Sequence, residues 1–368
     1  LGRTSITVPC ISIVSFPAIG CLFYLLSFKC HLNMKKALCL LFTIMAVAAC
    51  GNAGGSVDPT PEPTPEPTPA PIPEPTPAPA ECLELPNNLF SCTWVQKDLP
   101  NLEREFYFYM PVNEMIEKPS VFIALHGAGG TSSNMRNKTR FNQFKDQKNF
   151  IAVYPQADET ETGTARWRRI EDCQEGYVCD RDFLEHIIEY LISNSGADHE
   201  KIHVAGHSSG GFMSYFLACN LSNSIASIAV VAGSMDLDTI NNCNSIHPMP
   251  VLHLHGLDDT VIDPLGGNSY RSTEDVIEFW SEFNSCETQE QIPGSDINND
   301  GNSWLLNKYT DCLNGVEVDF YSHQGGSAHS WPIFTTEFNN GDIDASSVII
   351  DFFETFDING SKITQISK

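Results

Sequence analysis

The sequence predicts an α/β fold in which a mostly parallel central sheet carries helices on both faces. First, short apolar runs alternate with amphipathic helical segments from residue 82 onward, an order typical of parallel sheets. Second, one apolar run, residues 202–205, leads directly into the pentapeptide G-H-S-S-G at residues 206–210, and a helical pattern follows it. Residues 82–368 are therefore predicted to form one α/β domain.

The elements of this domain are predicted from hydrophobic periodicity. Strands are expected at residues 104–110, 121–125, 150–154, 202–205, 225–232, 251–255 and 316–321, with a further strand at Trp304. Helices are expected at residues 134–148, 182–193, 212–219, 273–283 and 345–356. Strands that alternate with helices in this way place the sheet between two helical layers.

The pentapeptide at residues 206–210 has the spacing of a nucleophile elbow, in which a strand turns sharply into a helix. Glycine at positions 206 and 210 lets the strand and the helix approach closely, so that the hydroxyl of Ser208 projects from the turn. The following helix directs its first N–H groups and the positive end of its dipole toward charge that develops there. This setting predicts that Ser208 is a nucleophile and that the fold is an α/β-hydrolase.

In this fold the acid and the histidine follow the serine along the chain, on loops after later strands. Three carboxylates lie in the loop after the strand at 251–255, namely Asp258, Asp259 and Asp263. One of them is expected to accept a hydrogen bond from the histidine and to stabilise its charged form. The loop after the strand at 316–321 carries His329 behind a Gly-Gly pair, which predicts His329 as the base.

A tetrahedral intermediate needs two N–H donors for its oxyanion. Ser209, the residue after the nucleophile, is predicted to supply one of them. The other is expected from the glycine-rich loop at residues 126–130, through Ala128. The geometry of the elbow predicts that His207 faces away from the site.

Composition excludes several classes of partner. The chain of 368 residues has a formal net charge of −25. A surface of this sign repels nucleic acid and anionic lipid, so neither is predicted as a partner. We interpret the acidity as a means of keeping the protein soluble.

The N-terminal residues are typical of targeting sequences rather than of a fold. Residues 1–33 contain an apolar stretch broken by two prolines and are interpreted as upstream read-through, with translation starting at Met34. Residues 34–49 combine two lysines with an apolar run and are predicted to be a lipoprotein signal peptide, cut before a lipid-carrying Cys50. The alternative is a two-helix membrane anchor, although a spanning helix needs about 20 apolar residues.

Residues 50–81 are predicted to be a proline-rich linker between Cys50 and the domain. Repeats of the type Thr-Pro-Glu-Pro over residues 58–80 forbid helix and sheet and favour a stiff polyproline II rod. The expected product is an exported bacterial lipoprotein of the cell envelope (outer membrane or surface) or the extracellular space, with its N-terminal lipid as the only contact with a membrane.

Eight cysteines follow the signal segment, and an even number suits an exported, oxidised protein. Pairing of neighbours predicts four disulfides, Cys82–Cys92, Cys173–Cys179, Cys219–Cys243 and Cys286–Cys312. A zinc site is the alternative, although no two of these cysteines have the spacing of a zinc knuckle. Residues 296–301 are similar to the start of a calcium loop, but Asn307 stands where the ligating glutamate is due. No metal is predicted.

Four motifs occur in the order that a known hydrolase family has. They are L-H-G-A-G-G at 125–130, G-H-S-S-G-G at 206–211, H-G-x-x-D-x-V at 255–261 and A-H-S-W-P at 328–332. Together they resemble the bacterial polyhydroxybutyrate-depolymerase and feruloyl-esterase-like family of secreted α/β-hydrolases. The resemblance implies a catalytic set that consists of Ser208 as nucleophile, Asp259 as acid and His329 as base. It also implies that Trp167 lines the substrate cleft, and Trp331 is a second candidate for substrate binding. Two of the predicted disulfides, Cys219–Cys243 and Cys286–Cys312, resemble those of the family.

The predicted function is that of an exported serine esterase without a cofactor, acting on feruloyl or acetyl esters of oligosaccharides or on small soluble esters. Trp167, flanked by Arg166, Arg168 and Arg169, is expected to offer a flat stacking surface beside positive charge. The alternative is that these arginines pair with neighbouring acids. Other functions left open are a polyhydroxybutyrate depolymerase and an inactive hydrolase fold displayed as a binding module. The oligomeric state is also left open.

Overall fold

A computed structural model describes residues 80–96, 99–112, 117–159, 162–169, 177–297, 299, 301, 303–324, 328–333 and 342–362. The predicted read-through segment, the signal peptide, Cys50 and the linker up to residue 79 lie outside the described residues. Within the described ranges, no helix combines the length and the apolar character that crossing a membrane requires.

A sheet of eleven strands organises the described part of the chain. In chain order its strands are β1 (Glu81–Leu85), β2 (Leu89–Val95), β3 (Glu103–Tyr109), β4 (Ser120–Leu125), β5 (Phe150–Pro155), β6 (Ile202–His207), β7 (Ser227–Val231), β8 (Val251–Gly256), β9 (Thr288–Pro293), β10 (Trp304–Thr310) and β11 (Val318–His323). In space they follow the order β1-β2-β3-β5-β4-β6-β7-β8-β11-β10-β9. Two short strands, β12 (Phe356–Asp357) and β13 (Gly360–Ser361), form a separate ribbon.

The centre of the sheet is parallel and its edges are antiparallel. Parallel pairings join β5, β4, β6, β7, β8 and β11. Strands β1, β2 and β3 at one edge, and β10 and β9 at the other, pair antiparallel. The expected mostly parallel sheet is thus correct for the centre and wrong for the edges. Consecutive strands such as β1 and β2, or β10 and β11, are joined by short connections that allow only antiparallel pairing, whereas parallel strands need a longer crossover.

Helices cover both faces of the sheet, as predicted. They are α1 (Ser132–Thr139), α2 (Phe141–Lys148), α3 (Asp180–Asn194), α4 (Ser209–Asn220), α5 (Leu237–Asn241), α6 (Thr273–Phe283) and α7 (Ala345–Thr355). One core contains Ile187 of α3, Met213 of α4 and Trp280 of α6. The core on the other face contains Phe141 of α2 and Phe353 of α7. Successive residues of each central strand alternate between the two cores, because side chains in a strand have a period of two.

The helix predicted at residues 134–148 is wrong as a single element, because the segment forms α1 and α2. Arg140 between them has a φ of 54° and donates its N–H to the carbonyl of Arg136 at 2.9 Å. Backbone in the left-handed region cannot continue a right-handed helix. The Arg140 guanidinium also contacts Asp344 at 2.7 Å. Asp344, the N-cap residue of α7, is distant in the sequence, and local periodicity does not reveal the break.

Edge strands β1, β2 and β9 are absent from the sequence prediction. The side chains of β9 are mostly exposed and polar, so its pairing with β10, rather than any apolar alternation, makes it a strand. Strands β1 and β2 form a hairpin in which Cys82 and Cys92 lie opposite each other. A disulfide joins these two residues.

Three of the predicted disulfides are confirmed. Besides Cys82–Cys92, the structure contains Cys219–Cys243, which connects the end of α4 to the segment after α5. It also contains Cys286–Cys312, which connects the chain before β9 to the chain after β10. The predicted pair Cys173–Cys179 includes Cys173, which lies outside the described residues.

Candidate active site

Ser208 occupies the turn between β6 and α4. Its φ of 52° and ψ of −116° are strained for an L-residue, and its N–H donates to the carbonyl of Val231 at 2.9 Å. A Cβ at Gly206 would lie 2.1 Å from the carbonyl oxygen of Gly210, and one at Gly210 would lie 2.2 Å from that of Leu125. Both glycines are therefore needed for the close approach of β4, β6 and α4, and the serine is the side chain that the turn projects.

Two hydrogen bonds connect Ser208 to residues that are distant in the chain. His329 Nε2 lies 3.0 Å from Ser208 Oγ, and His329 Nδ1 lies 2.7 Å from Asp259 Oδ2. The register of the sheet explains the meeting, because His323 at the end of β11 pairs with Gly256 at the end of β8. The loops that follow these two neighbouring strands carry His329 and Asp259. The glycines before His329, residues 325–326, lie outside the described residues.

Burial and hydrogen bonds separate Asp259 from the other two carboxylates of its loop. The Asp259 side chain is buried, whereas Asp258 and Asp263 are exposed. Its Oδ1 accepts the N–H groups of Val261 and Ile262 at 2.8 and 3.0 Å. Burial alone would raise the pKa of Asp259, but the hydrogen bonds from His255, His329 and the two N–H groups hold this pKa well below its usual range. The carboxylate is therefore ionised when it faces His329.

Behind Asp259 lies a chain of buried polar groups to which the motifs assign no role. His255 Nε2 is 3.3 Å from Asp259 Oδ2 and 2.9 Å from the carbonyl oxygen of Ile262. Because a carbonyl only accepts, His255 carries its hydrogen on Nε2, and its Nδ1 accepts from His253 Nε2 at 3.0 Å. Tyr215 donates its hydroxyl to His253 Nδ1 at 2.7 Å. The spacing of the two histidines, two residues apart on one strand face, is the signal that predicts such a stack.

The loop after β4, predicted to supply the second oxyanion donor, forms a tight turn beside Ser208. Gly129, with a φ of 69°, donates its N–H to Ala165 at 2.8 Å, and Gly130 donates to Gly127 at 3.0 Å. Ala128 lies between Gly127 and Gly130 in this turn and lines the cleft beside Ser208. Ser209 begins α4, where the N–H groups of a first turn lack partners within the helix. Ala128 thus borders the cleft, and Ser209 directly follows Ser208, which also borders it.

The predicted stacking surface at Trp167 is wrong, because the Trp167 side chain is only 1% exposed. Its Nε1 donates to the carbonyl of His126 at 2.8 Å, so the indole supports the loop that carries Ala128. Two of the three flanking arginines pair with acids, Arg168 with Asp158 at 3.1 Å and Arg169 with Asp236 at 2.5 Å.

Trp331 is also buried, with 1% of its surface exposed. The prediction that it binds substrate is therefore wrong. Its Nε1 donates to Ser346 Oγ at 3.0 Å, and its ring meets Phe141 edge to face. Trp331 follows His329 by two residues, so this anchoring fixes the segment that carries the histidine. An aromatic side chain near a motif can either contact substrate or anchor the catalytic loop, and only its burial distinguishes these two roles.

His207 lines the cleft rather than facing away from it, which corrects the prediction from the elbow geometry. Its ring lies 5.3 Å from that of His329, and Lys138 Nζ lies 3.3 Å from its Nδ1. Burial, followed by the charges of Lys138 and His329, lowers the pKa of His207 to about 3. His207 is therefore neutral at physiological pH and accepts a hydrogen bond from the lysine.

The cleft above Ser208 has a volume of about 400 Å³ and is bordered by the glycine-rich loop, α1 and His329. At the calcium-like segment, Gly301 donates its N–H to Asp296 Oδ2 at 2.9 Å, while residues 298 and 300 lie outside the described residues. Among the described side chains, no group of three or more His, Cys, Asp or Glu residues is placed to hold a metal ion.

Comparison with known sequences identifies related proteins. Residues 104–267 match the model of a family described as esterase PHB depolymerase. The chain is 26% identical over 160 residues to feruloyl esterase B of Piromyces equi, covering 40% of this chain and 28% of that protein. It is 32% identical over 114 residues to feruloyl esterase B of Neurospora crassa, covering 30% of this chain and 38% of that protein. Acetylxylan esterase A of Emericella nidulans is 25% identical over 128 residues, which cover 35% of this chain and 41% of that protein. The chain thus spans less than half the length of these relatives.

Comparison with solved structures supports the fold. The chain resembles an acetyl xylan esterase from Aspergillus awamori with a TM-score of 0.51 and 15% identity, over 75% of this chain and 99% of that one. At this identity the likeness shows the α/β-hydrolase fold alone. Over residues 104–267 the chain is therefore similar to the esterase PHB depolymerase family, and its fold is that of an α/β-hydrolase.

Proposed function

We propose that the protein is a serine carboxylic-ester hydrolase in which Ser208 forms the acyl-enzyme. The observation that carries this proposal is the line of hydrogen bonds from Ser208 Oγ through His329 to Asp259 at a strand-to-helix turn. The names of the relatives, feruloyl esterase and acetylxylan esterase, support carboxylic-ester hydrolysis. The contacts around the triad define a role for each group.

Ser208 Oγ attacks the ester carbonyl carbon while His329 Nε2 takes the hydroxyl proton. Asp259 keeps the remaining ring proton on Nδ1 and stabilises the imidazolium that forms. The N–H groups of Ala128 and Ser209 bind the oxyanion of the tetrahedral intermediate. His329 then gives its proton to the leaving alcohol, and a water molecule activated by His329 hydrolyses the acyl-enzyme.

Serine labelling tests this proposal directly. A fluorophosphonate probe should label the wild-type protein at Ser208, and Ser208→Ala should abolish both labelling and ester hydrolysis. His329→Ala should lower kcat by about 10²–10⁴-fold, since this is the usual contribution of a general base. A folded wild-type protein that is neither labelled nor active would favour the alternative of a hydrolase fold used for binding.

The proposed substrates are feruloyl or acetyl esters of soluble oligosaccharides, or small soluble esters. This choice rests on the names of the relatives. It does not rest on Trp167, because the buried indole offers no stacking surface. Hydroxybutyrate oligomers are the second candidate, favoured by the description of the family model. Values of kcat/KM for methyl ferulate, acetylated xylo-oligosaccharide, hydroxybutyrate oligomers and a polyhydroxybutyrate suspension separate the candidates. Ready clearing of the suspension, with no action on the first two, would make the protein a depolymerase.

We also propose that the protein is exported and anchored by lipid at Cys50. The three described disulfides support export, since such bonds persist in oxidising compartments. The lysine pair at 35–36, the apolar run and Cys50 support the anchor. Bacterial cells that express the whole chain should incorporate labelled palmitate into it, and Cys50→Ala should abolish the incorporation. Equal labelling of the two forms would exclude Cys50 as the lipid site.

A further inference from the structure

One wall of the Ser208 cleft carries a positive charge in a strongly acidic protein. Helix α1 borders the cleft with Asn134, Asn137 and Lys138, which share one helix face because they are three and four residues apart. The chain as a whole has a formal net charge of −25. A cation at this position therefore stands out against its surroundings.

Three other basic side chains near the site pair with carboxylates, whereas Lys138 does not. Arg140, Arg168 and Arg169 each form an ion pair with an aspartate. In the part of the chain that the structure describes, no carboxylate lies within ion-pair distance of the Lys138 amine. Its hydrogen-bond partner is the neutral ring of His207, at 3.3 Å, which accepts a hydrogen bond but supplies no negative charge.

Burial lowers the pKa of Lys138, as expected for an amine that is withdrawn from water with no carboxylate beside it. A carboxylate bound at this point would remove that cost and form a charge-assisted hydrogen bond. Asn134 and Asn137 add amide groups that both donate and accept hydrogen bonds. The wall thus offers an anion-binding group beside groups that suit hydroxyls.

We propose that Lys138 is a specificity-determining residue that binds a carboxylate of the substrate, so that the preferred esters carry a free acid group close to the scissile bond. This inference rests on the proposed esterase function and narrows its substrate class. Two kinds of ester have this chemistry: an acylated sugar chain that contains a uronic acid, and an ester of a hydroxy acid whose own carboxyl group is free.

Paired substrates test the inference and distinguish these two sources. The first pair is acetylated xylo-oligosaccharide that carries a uronic acid, and the same oligosaccharide with its carboxyl group reduced to an alcohol. The second pair is 3-acetoxybutyrate and its uncharged primary amide. For at least one pair, the wild-type kcat/KM should be about tenfold higher for the acid, since a hydrogen bond to a charged group is worth about that factor.

Lys138→Met should remove the preference for the acid, mainly by raising KM for the acid member of the pair. Lys138→Arg should retain a large part of it, because the charge is kept. The matched control is Lys201→Met, which removes a lysine that pairs with Asp198 at 3.1 Å and does not border the cleft. An acid-to-neutral ratio that is unchanged in Lys138→Met would overturn the inference while leaving the esterase function intact.

A binding measurement keeps the inference testable without turnover. In a Ser208→Ala background, calorimetry should detect 3-acetoxybutyrate or the uronic-acid oligosaccharide, and the additional Lys138→Met change should weaken that binding by about tenfold. If wild type hydrolyses no ester at all, the proposed function fails on that result alone. Equal binding with and without Lys138 would then dismiss the carboxylate site as well.

Discussion

At the scale of single residues, the indole of Trp167 is connected to the proposed oxyanion site through one carbonyl group. Trp167 Nε1 donates to His126 at 2.8 Å, and Ala128 follows two residues later. The His126 ring is fixed too, because its Nε2 accepts the N–H of Ala157 at 3.0 Å and its Nδ1 lies 2.7 Å from the carbonyl oxygen of Gly127. Both contacts hold the backbone from which the Ala128 N–H projects.

Trp167→Phe should therefore lower kcat by up to about tenfold, the worth of one hydrogen bond. KM should change little, because the oxyanion develops only in the transition state. The control is Trp280→Phe, a second buried tryptophan whose Nε1 has no hydrogen-bond partner in the described structure. Steady-state kinetics and thermal unfolding of both variants check this expectation. Equal losses of kcat in the two variants would reduce Trp167 to a packing role.

Residue types and spacing predict part of this site, and burial decides the rest. The two glycines around Ser208 encode a backbone geometry, so the turn is visible in the sequence. Asp258 and Asp259 both follow β8, and spacing cannot separate them, because their difference is that only Asp259 is buried. His207 was expected to face away, but it borders the cleft beside Lys138 of α1. Its place depends on a helix almost seventy positions earlier in the chain.

At the scale of elements, the β10–β11 pair holds a buried carboxylate with a displaced pKa. Asp319 on β11 contacts Lys308 on β10 at 3.3 Å, and Lys308 also contacts Glu317. Burial raises the pKa of Asp319 to about 6, and the opposing effect of Lys308 does not cancel it. Between its unfolded pKa of 3.8 and about 6, the folded state retains a proton that the unfolded state releases. Stability is therefore lost as pH rises through this range.

Asp319→Asn lacks this ionisation. The melting temperature of the variant relative to wild type should consequently rise between pH 5 and pH 8. Asp311→Asn, an exposed aspartate of the same region, serves as the control and should show a smaller change. Calorimetric scans at the two pH values give the comparison, and a difference that falls with pH would contradict the assigned direction.

The Cys219–Cys243 disulfide closes a loop of 24 residues between α4 and the segment after α5. Changing both cysteines to serine should lower the free energy of unfolding by about 3 kcal/mol. The kcat value at 25 °C should hardly change, because Cys219 lies at the end of α4 opposite to Ser209. Urea titrations and esterase assays measure the two quantities. The pair Cys82–Cys92, with a separation of 10 residues, should contribute less when it is replaced in the same way.

At the scale of the whole molecule, the sequence predicts the parallel centre better than the edges. Central strands such as β5 and β6 are buried throughout and appear as mainly apolar runs. Strand β9 is held by pairing alone and carries no such signal. At the break between α1 and α2, Arg140 likewise pairs with the distant Asp344. Apolar periodicity in the sequence indicates which residues are buried. It does not predict elements that are defined by a partner strand or a remote ion pair.

The parallel register has a consequence for how activity is gained during folding. Leu125 pairs with Gly206 and His323 with Gly256, so the four segments of the candidate site meet only after β4, β6, β8 and β11 have assembled. Ser208 and His329 are 121 positions apart, and such non-local contacts are slow to close. On dilution from denaturant, helical circular dichroism should therefore recover before hydrolysis does. The rate at which ester hydrolysis recovers would then report the docking of the last of these strands.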